Sequence, residues 1–342
     1  MSADSPLFSV VIPAYNAKKF IALTIESVLR QTVQDFEIVV VNDGSTDDTL
    51  EVLQGISDPR LRVITRENGG ECAARNQGFR EARGKYVSFL DSDDVWLENH
   101  LEQAQKFMDA HPECEWFAST YTRVPDIREA DIARADLSHD SIMLTNWYLE
   151  GYALHLPSST TVRRSALHDY PHLFQEGYKM FGDALGWAKF AKAHPMIGIA
   201  STSTMLYRFW QGNACTTYNV CHHGERTEQV NNALAKHLEF YHEPDCPPEA
   251  KLYYRQFALG DWWSCITSAL MPDEWREDFM RRRTLVGSGS TRWMKLWSKA
   301  ADVALHAMRW GIRRRKLAIL RKMKKLADRG RVRVENNFNS PC

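Results

Sequence analysis

The sequence predicts an α/β protein whose mostly parallel sheet is flanked by helices and followed by a helical C-terminal region. Two observations carry this prediction. Over the first 125 residues, short apolar runs rich in β-branched side chains alternate with segments whose apolar residues repeat at helical spacing. Three of these runs end in clusters of turn-forming polar residues. Strands that alternate with helices in this way form parallel sheets with helices on both faces.

Each element follows from its local pattern. The segment 36–41 (FEIVVV) is typical of a buried parallel strand. In 17–30 the apolar side chains recur on one helical face. Thr46 or Asp47 is suited to cap the helix that follows the second strand. The predicted strands are 8–13, 36–41, 61–65 and 86–90, and the predicted helices are 17–30, one after the turn at 42–45, 71–83 and 98–110.

Polar clusters follow three of the four predicted strands. They are 14–16 (AYN), 42–45 (NDGS) and 91–94 (DSDD). Ligands of open parallel sheets bind beyond the carboxyl ends of the strands. Because three separate loops meet at this edge, the sequence predicts a binding site there.

The acidic cluster after the fourth strand has the clearest chemistry. Asp91, Asp93 and Asp94 lie within four residues, and their charges repel one another unless a cation intervenes. Mg²⁺ or Mn²⁺ prefers oxygen ligands and keeps positions open for phosphate oxygens. The alternative is that one of these residues caps the following helix. The position at a buried strand end favours the metal site.

Two further polar residues allow two interpretations each. Asp43 either binds a ligand or closes an Asx turn. Arg75 either binds a phosphate with its planar guanidinium or is an exposed helix residue.

Four ordered motifs resemble those of family 2 glycosyltransferases with the GT-A fold. The resemblance is close over residues 7–125 and weaker to about residue 210. It implies inverting transfer of a sugar from a nucleotide-sugar donor, commonly a UDP-sugar. The motifs are 8–16 (FSVVIPAYN), 37–46 (EIVVVNDGST), 68–76 (NGGECAARN) and 86–97 (YVSFLDSDDVWL).

The resemblance also implies roles for individual residues. Arg75 matches the family's arginine near the diphosphate. Asp91 and Asp93 match the family's Asp-x-Asp metal motif, with Asp93 as the direct ligand, and Ser92 between them belongs to the donor site. The residues implied to hold the nucleotide base are Pro13, Ala14, Tyr15 and Asp43.

The resemblance places the catalytic base further along the chain, at an acidic residue that opens a helix. The segment 181–187 (FGDALGW) matches this region, although Gly182-Asp183 replaces the family's usual Glu-Asp pair. A carboxylate within hydrogen-bond reach can accept the proton of an attacking hydroxyl, so Asp183 is the predicted base. The alternative for Asp183 is an N-cap on helix 184–193. Glu176 is the second candidate for the base.

The second half of the chain is less informative. Residues 158–162 resemble a strand, and Trp147, Tyr148 and Tyr152 either stack on sugar rings or belong to the core. The pair His222-His223 either completes the metal site, as a histidine does in some GT-A enzymes, or is structural.

Composition and charge set the remaining expectations. The 342 residues are 44% hydrophobic and 25% charged, which excludes a disordered or fibrous chain. The sequence predicts no transmembrane helix and no signal peptide, because uncharged stretches are short and the first residues lack an apolar core. Seven cysteines without a CxxC pair predict free thiols in the cytoplasm.

The zero net charge hides a basic tail. Residues 309–342 contain 12 Lys or Arg and two acidic residues, and 293–327 repeat apolar residues at helical spacing. Such a helix either binds an anionic membrane surface from the cytoplasmic side or packs on the enzyme body or a second subunit. No nucleic-acid partner is predicted.

The predicted domains are 1–215 for donor binding and catalysis, 216–286 as a helical extension towards the acceptor, and 287–342 as the basic tail. The predicted function is metal-dependent transfer of a sugar to a hydroxyl of a glycan or lipid-linked acceptor, in surface polysaccharide synthesis. Two alternatives are a nucleotidyltransferase of sugar phosphates and a non-catalytic nucleotide-sugar-binding protein. The first usually has a Gly-rich basic loop after its first strand, whereas this chain has 13–16 (PAYN).

Overall fold

The computed structural model describes residues 5–125, 127, 142–148, 156–178, 182–209, 239–240 and 243–251. These residues form a nine-stranded mixed sheet with helices packed against it. The strands are β1 (Phe8–Ala14), β2 (Phe36–Asp43), β3 (Leu61–Arg66), β4 (Tyr86–Phe89), β5 (Val95–Trp96), β6 (Trp116–Val124), β7 (Ile142–Asn146), β8 (Thr160–Arg163) and β9 (Met196–Arg208). The helices are α1 (Ile21–Leu29), α2 (Thr49–Gln54), α3 (Glu71–Glu81), α4 (His100–Ala110), α5 (Arg164–Leu167) and α6 (Gly182–Ala193).

The strand order is β3-β2-β1-β4-β8-β6-β9-β5, and β7 pairs with β9. The first four strands are parallel to one another, as predicted. β8 runs antiparallel to both β4 and β6, so the second half of the sheet is mixed. Every residue of β1, β2 and β4 is buried, which explains their nearly unbroken apolar sequences.

The predicted elements of the first 125 residues are confirmed with shifted ends. The helix expected at 17–30 begins at Ile21, and α2 begins at Thr49, whose N–H donates to Asp47 Oδ1 at 3.0 Å. The strand expected at 158–162 starts later, because Pro157–Ser159 forms a 3₁₀ turn before β8.

The aromatic residues of the second half belong to the core. Trp147 and Tyr148 are 2% and 1% exposed, and the Tyr148 hydroxyl donates to the Ala188 carbonyl at 2.6 Å. Stacking of these two rings on a sugar is therefore excluded, while Tyr152 lies outside the described residues.

The described thiols, those of Cys72, Cys114 and Cys246, are free, as expected. In the described part of the chain, no helix has the length and apolar character that crossing a membrane requires. The helical extension expected at 216–286 lies mostly, and the basic tail wholly, outside the described residues.

Candidate active site

The loops after β1 and β2 are tied together by Asn16. Its backbone has a φ of +50°, in the left-handed region that asparagine tolerates better than most residues. Its N–H donates to Ser45 Oγ at 3.1 Å, and its side-chain oxygen accepts the Thr46 N–H at 2.8 Å. Tyr15, 51% exposed, is thereby held beside the second loop. A flat ring is thus presented to solvent at the carboxyl edge of the sheet.

Asp43 ties the end of β2 to the turn that begins α3. Its two carboxylate oxygens accept the N–H groups of Gly69 and Gly70, at 3.0 and 2.8 Å. Arg66 Nε lies 3.1 Å from the same carboxylate. Gly70 has a φ of +87°, a conformation that favours glycine. Asp43 is only 2% exposed, so organising this turn is its visible role; contact with a nucleotide base stays a prediction.

The acidic loop after β4 is held from both sides. The Thr24 hydroxyl of α1 lies 3.0 and 2.8 Å from the carbonyl oxygens of Ser92 and Asp94. At the end of β9, Arg208 donates from Nε to the Asp93 carbonyl at 2.8 Å and from its N–H to Asp94 Oδ1 at 3.0 Å. The loop is therefore fixed by protein contacts alone.

The three carboxylates of this loop have different surroundings. Asp94 is fully buried, and burial together with the charges of Asp93 and Asp91 raises its pKa well above the ordinary value. Asp91 and Asp93 remain partly exposed. Asp94 is therefore withdrawn from solvent, whereas Asp91 and Asp93 keep access to it, and a metal at these two stays a prediction.

Arg75 is buried beneath the acidic loop, so the interpretation of an exposed helix arginine is wrong. Its side chain is 3% exposed and forms ion pairs with Glu71 and with Asp91, the latter at 2.5 Å. Burial opposes its charge, but Asp91 and Glu71 outweigh that effect and raise the pKa of Arg75. The Asp91 N–H in turn donates to Ser158 Oγ at 3.1 Å. A permanently charged guanidinium therefore lies next to the predicted metal ligands.

Gly182, at the start of α6, occupies a site without room for a side chain. A Cβ atom there would lie 2.5 Å from Cys72 Sγ and 2.7 Å from the Gln175 carbonyl oxygen. The Gln175 N–H donates to the Gly182 carbonyl at 3.1 Å. The absence of a glutamate before Asp183 therefore has a steric reason: here the helix start is packed directly against α3.

Asp183 lies in the first turn of α6 and is partly buried. Its charge contributes to the raised pKa values of both Glu71 and Arg75, so it belongs to the same electrostatic group. A carboxylate is also favoured at a helix N-terminus by the helix dipole. Glu176, the second candidate, accepts hydrogen bonds from Asn76 at 2.8 Å and from His172 at 3.1 Å.

Glu71 shares one electrostatic group with Arg75 and with the carboxylates of Asp91, Asp93 and Asp183. Half of the Glu71 side-chain surface is exposed, and its carboxylate pairs with Arg75. Partial desolvation of this carboxylate, offset by Arg75 and reinforced by the three aspartates, raises the pKa of Glu71 to about 7. The group carries excess negative charge, which favours a cation.

The described part of the chain offers carboxylate oxygens as ligands for a divalent metal. Among the described residues, no three His, Cys, Asp or Glu side chains form a cluster that holds a metal by itself. Mg²⁺ needs only one or two carboxylates when phosphate oxygens and water complete its shell. Asp91 and Asp93 meet that requirement. The pair His222-His223 lies outside the described residues.

The other predicted donor residues are also at the carboxyl edge. Pro13 and Ala14 end β1 next to Val41 and Asn42 of β2, and both are buried. Ser92 is partly buried in the acidic loop.

Sequence reasoning missed three residues of this region. Glu71 is placed four residues before Arg75, a spacing that signals an ion pair on a helix. Asn76 and Arg208 act across long sequence separations, with Phe174 and with Asp93 and Asp94. No local sequence pattern predicts such contacts.

The parallel half-sheet, with its acidic loop and buried arginine at the carboxyl edge, is a GT-A-type α/β fold. Residues 9–169 match the family described as Glycosyl transferase family 2. This match covers just under half of the chain and confirms the resemblance to family 2 glycosyltransferases seen in its motifs.

Curated relatives match about a third of the chain. The putative teichuronic acid biosynthesis glycosyltransferase TuaG of Bacillus subtilis is 44% identical over 111 residues, 32% of this chain and 44% of TuaG. The UDP-Glc:alpha-D-GlcNAc-diphosphoundecaprenol beta-1,3-glucosyltransferase WfgD of Escherichia coli is 40% identical over 106 residues, 31% of this chain and 42% of WfgD. The chain thus spans less than half the length of these relatives.

Solved structures share the fold. TarS 1–349 of S. aureus, in complex with UDP-GlcNAc, superposes with a TM-score of 0.59 at 23% identity, over 75% of this chain and 71% of that one. The mannosyltransferase PcManGT of Pyrobaculum calidifontis, in complex with GDP-Man and Mn²⁺, has a TM-score of 0.54 at 18% identity, over 89% and 81%.

Proposed function

We propose that this protein is a metal-dependent inverting glycosyltransferase that moves a sugar from a UDP-sugar to a hydroxyl of a glycan or lipid-linked acceptor. One observation carries the proposal: Asp183 from α6 and the Arg75–Asp91 ion pair belong to one electrostatic group at the carboxyl edge of the parallel strands. A general base is thereby combined with groups suited to a diphosphate.

The proposed chemistry assigns one task to each residue. Asp183 accepts the proton of the acceptor hydroxyl, and the oxygen of that hydroxyl forms a bond to the anomeric carbon of the donor sugar. The bond from that carbon to the diphosphate oxygen breaks, its electron pair leaves with UDP, and the configuration inverts. Arg75 binds the diphosphate charge. Asp91 and Asp93 would hold Mg²⁺ or Mn²⁺, which would supply further positive charge for the leaving group.

Two observations support a UDP-sugar as the donor: an exposed aromatic ring at the carboxyl edge of the sheet and the nucleotide sugars of the relatives. Tyr15, exposed beside the loop that follows β2, offers a ring on which a base can stack. WfgD is named for UDP-Glc and TarS is in complex with UDP-GlcNAc, whereas PcManGT is in complex with GDP-Man, so UDP-sugars are the first donors to test.

The biological setting is proposed from the same relatives. TuaG is named for teichuronic acid synthesis, and WfgD acts on a diphosphoundecaprenol-linked sugar according to its name. These names support a role in surface polysaccharide synthesis on a lipid-linked acceptor. Peripheral binding to the membrane by the basic tail would suit such an acceptor.

Calorimetry with UDP tests the metal and the donor site together. UDP should bind at least about tenfold more weakly in chelator than with Mn²⁺, because carboxylates repel a diphosphate unless a cation bridges them. Asp93→Ala should lose the Mn²⁺ effect, whereas Asp169→Ala, at a side chain 89% exposed, should keep it. Equal UDP affinity with and without metal would contradict the metal role. UDP release from UDP-Glc and UDP-GlcNAc, against GDP release from GDP-Man, identifies the donor.

A further inference from the structure

The side chain of Asn76 joins two parts of the site that are far apart in sequence. Asn76 is fully buried in α3, next to Arg75. Its Oδ1 accepts the Phe174 N–H at 2.9 Å, and its Nδ2 donates to the Phe174 carbonyl at 2.8 Å. The same Nδ2 donates to Glu176 Oε1 at 2.8 Å. The Asn76 side-chain amide therefore pairs with both backbone polar groups of Phe174, as a residue on a neighbouring strand would.

The segment held by Asn76 (Phe174 and Gln175) contacts the residue at which α6 begins. Phe174 is fully buried and packs edge-on against Phe89 and Trp187, both with centroids 5.2 Å away. The next residue, Gln175, donates its N–H to the Gly182 carbonyl at 3.1 Å. Gly182 immediately precedes Asp183. Asn76 is thus connected to Asp183 through its hydrogen bonds to Phe174, the Gln175–Gly182 backbone hydrogen bond and the closely packed Gly182.

We propose that Asn76 is a positioning residue, which holds Asp183 at a fixed place relative to Arg75, its neighbour in α3. This inference rests on the proposed role of Asp183 as the base. Arg75 and Asn76 are consecutive, so one helix orients both the diphosphate group and, through Phe174, the base. A base displaced by about 1 Å can lose about 100-fold in rate. Asn76 therefore acts on turnover and leaves donor binding alone.

The kinetic test uses Asn76→Asp and Asn76→Ala in the full chain. Aspartate keeps the acceptor but loses both donated bonds, and alanine loses all three. Both variants should lower kcat for UDP-sugar turnover by about 10- to 100-fold, with the affinity for UDP and Mn²⁺ within about threefold of the parent. Arg80→Ala is the matched control, since Arg80 donates to the Pro171 carbonyl at 2.9 Å from the same helix and touches the same segment farther from Gly182. It should turn over at the parental rate.

A double-mutant cycle separates positioning from general loss of structure. If Asn76 acts through Asp183, then Asn76→Asp should cost little further activity in a protein that already carries Asp183→Asn. Multiplicative losses, or a parental kcat in both single variants, would overturn the proposal.

Hydrogen exchange gives a readout that needs no activity. Peptides covering 173–178 and the first turn of α6 should lose protection in both Asn76 variants, while peptides of β2 and β3 should not. Unchanged protection at 173–187 would reject the clamp even if the protein proved inactive on every donor. Absence of turnover in the parent, with the exchange result as expected, would instead reject the proposed function alone.

Discussion

At the scale of single residues, Asp183→Asn should stop transfer and keep donor binding. The amide cannot accept the proton, and loss of a general base typically lowers a rate by about 10²- to 10⁴-fold. Asparagine is nearly isosteric and is tolerated near a helix start, so stability should change little. Single-turnover kinetics, with UDP affinity measured in parallel, check this prediction.

Glu176→Gln is the comparison for that variant. Glu176 is engaged by Asn76 and His172, and glutamine keeps an oxygen that can accept their hydrogen bonds. Its turnover should stay near that of the parent. If Glu176→Gln lost transfer and Asp183→Asn did not, the base would be Glu176.

At the scale of elements, the packing of α6 against α3 explains why the chain has glycine at residue 182. Gly182→Ala places a Cβ atom 2.5 Å from Cys72 Sγ and 2.7 Å from the Gln175 carbonyl. One contact is with backbone, so the strain cannot be relieved by a side-chain rotation. Overpacking of this kind costs about 1–3 kcal/mol of unfolding free energy.

Denaturant unfolding measures this prediction, with Gly55→Ala as the control. Gly55 has a φ of −74°, and an added Cβ would make only ordinary contacts, the nearest at 3.4 Å. That change should be neutral or slightly stabilising. Equal stability of Gly182→Ala and the parent would show that the helix start has room for a side chain.

At the scale of the whole molecule, His100 should make folding stability fall in acid. The ring is fully buried, stacks on Trp96 at 4.1 Å and lies 2.8 Å from Thr204 Oγ1. Burial lowers its pKa to about 3 from 6.5. Between these values the unfolded chain binds more protons, so acidification favours unfolding by up to about 1.4 kcal/mol per pH unit.

Unfolding free energies of the parent and His100→Gln between pH 7 and 4.5 test this effect. The parent should lose stability more steeply than the variant below about pH 6.5, and other titrating groups cancel in the difference. His168→Gln, at a side chain 89% exposed, should follow the parental curve. Parallel curves for the parent and His100→Gln would contradict the prediction.

The basic tail gives a second whole-molecule prediction, which rests on the sequence. The full chain should sediment with anionic vesicles at low salt and be released at high salt, because each basic residue contributes about 1 kcal/mol near such a surface. A variant with glutamine at Arg321, Lys322, Lys324 and Lys325 should sediment less. Failure of the parent to sediment, with an oligomer seen by size exclusion, would favour assembly.

The sequence by itself determined the parallel half of the sheet and the location of the site. Strand and helix periodicity are local properties, and the carboxyl ends of parallel strands meet at one edge whatever the rest of the chain does. Asp91 and Asp93 were therefore found as neighbours at a strand end, and the motifs around Asp43 and Arg75 identified the family.

Only the tertiary structure decided which side chains share an environment. Arg208, over 100 residues away in sequence, donates its N–H to Asp94 and gives this carboxylate surroundings that differ from those of Asp91 and Asp93. Tyr148 lies in the core, where its hydroxyl reaches the Ala188 carbonyl of α6, and Trp147 beside it is also buried. The antiparallel strand β8 and the Asn76–Phe174 clamp likewise join segments more than 70 residues apart. Such contacts depend on complementary packing between distant segments, which no local pattern of residues contains.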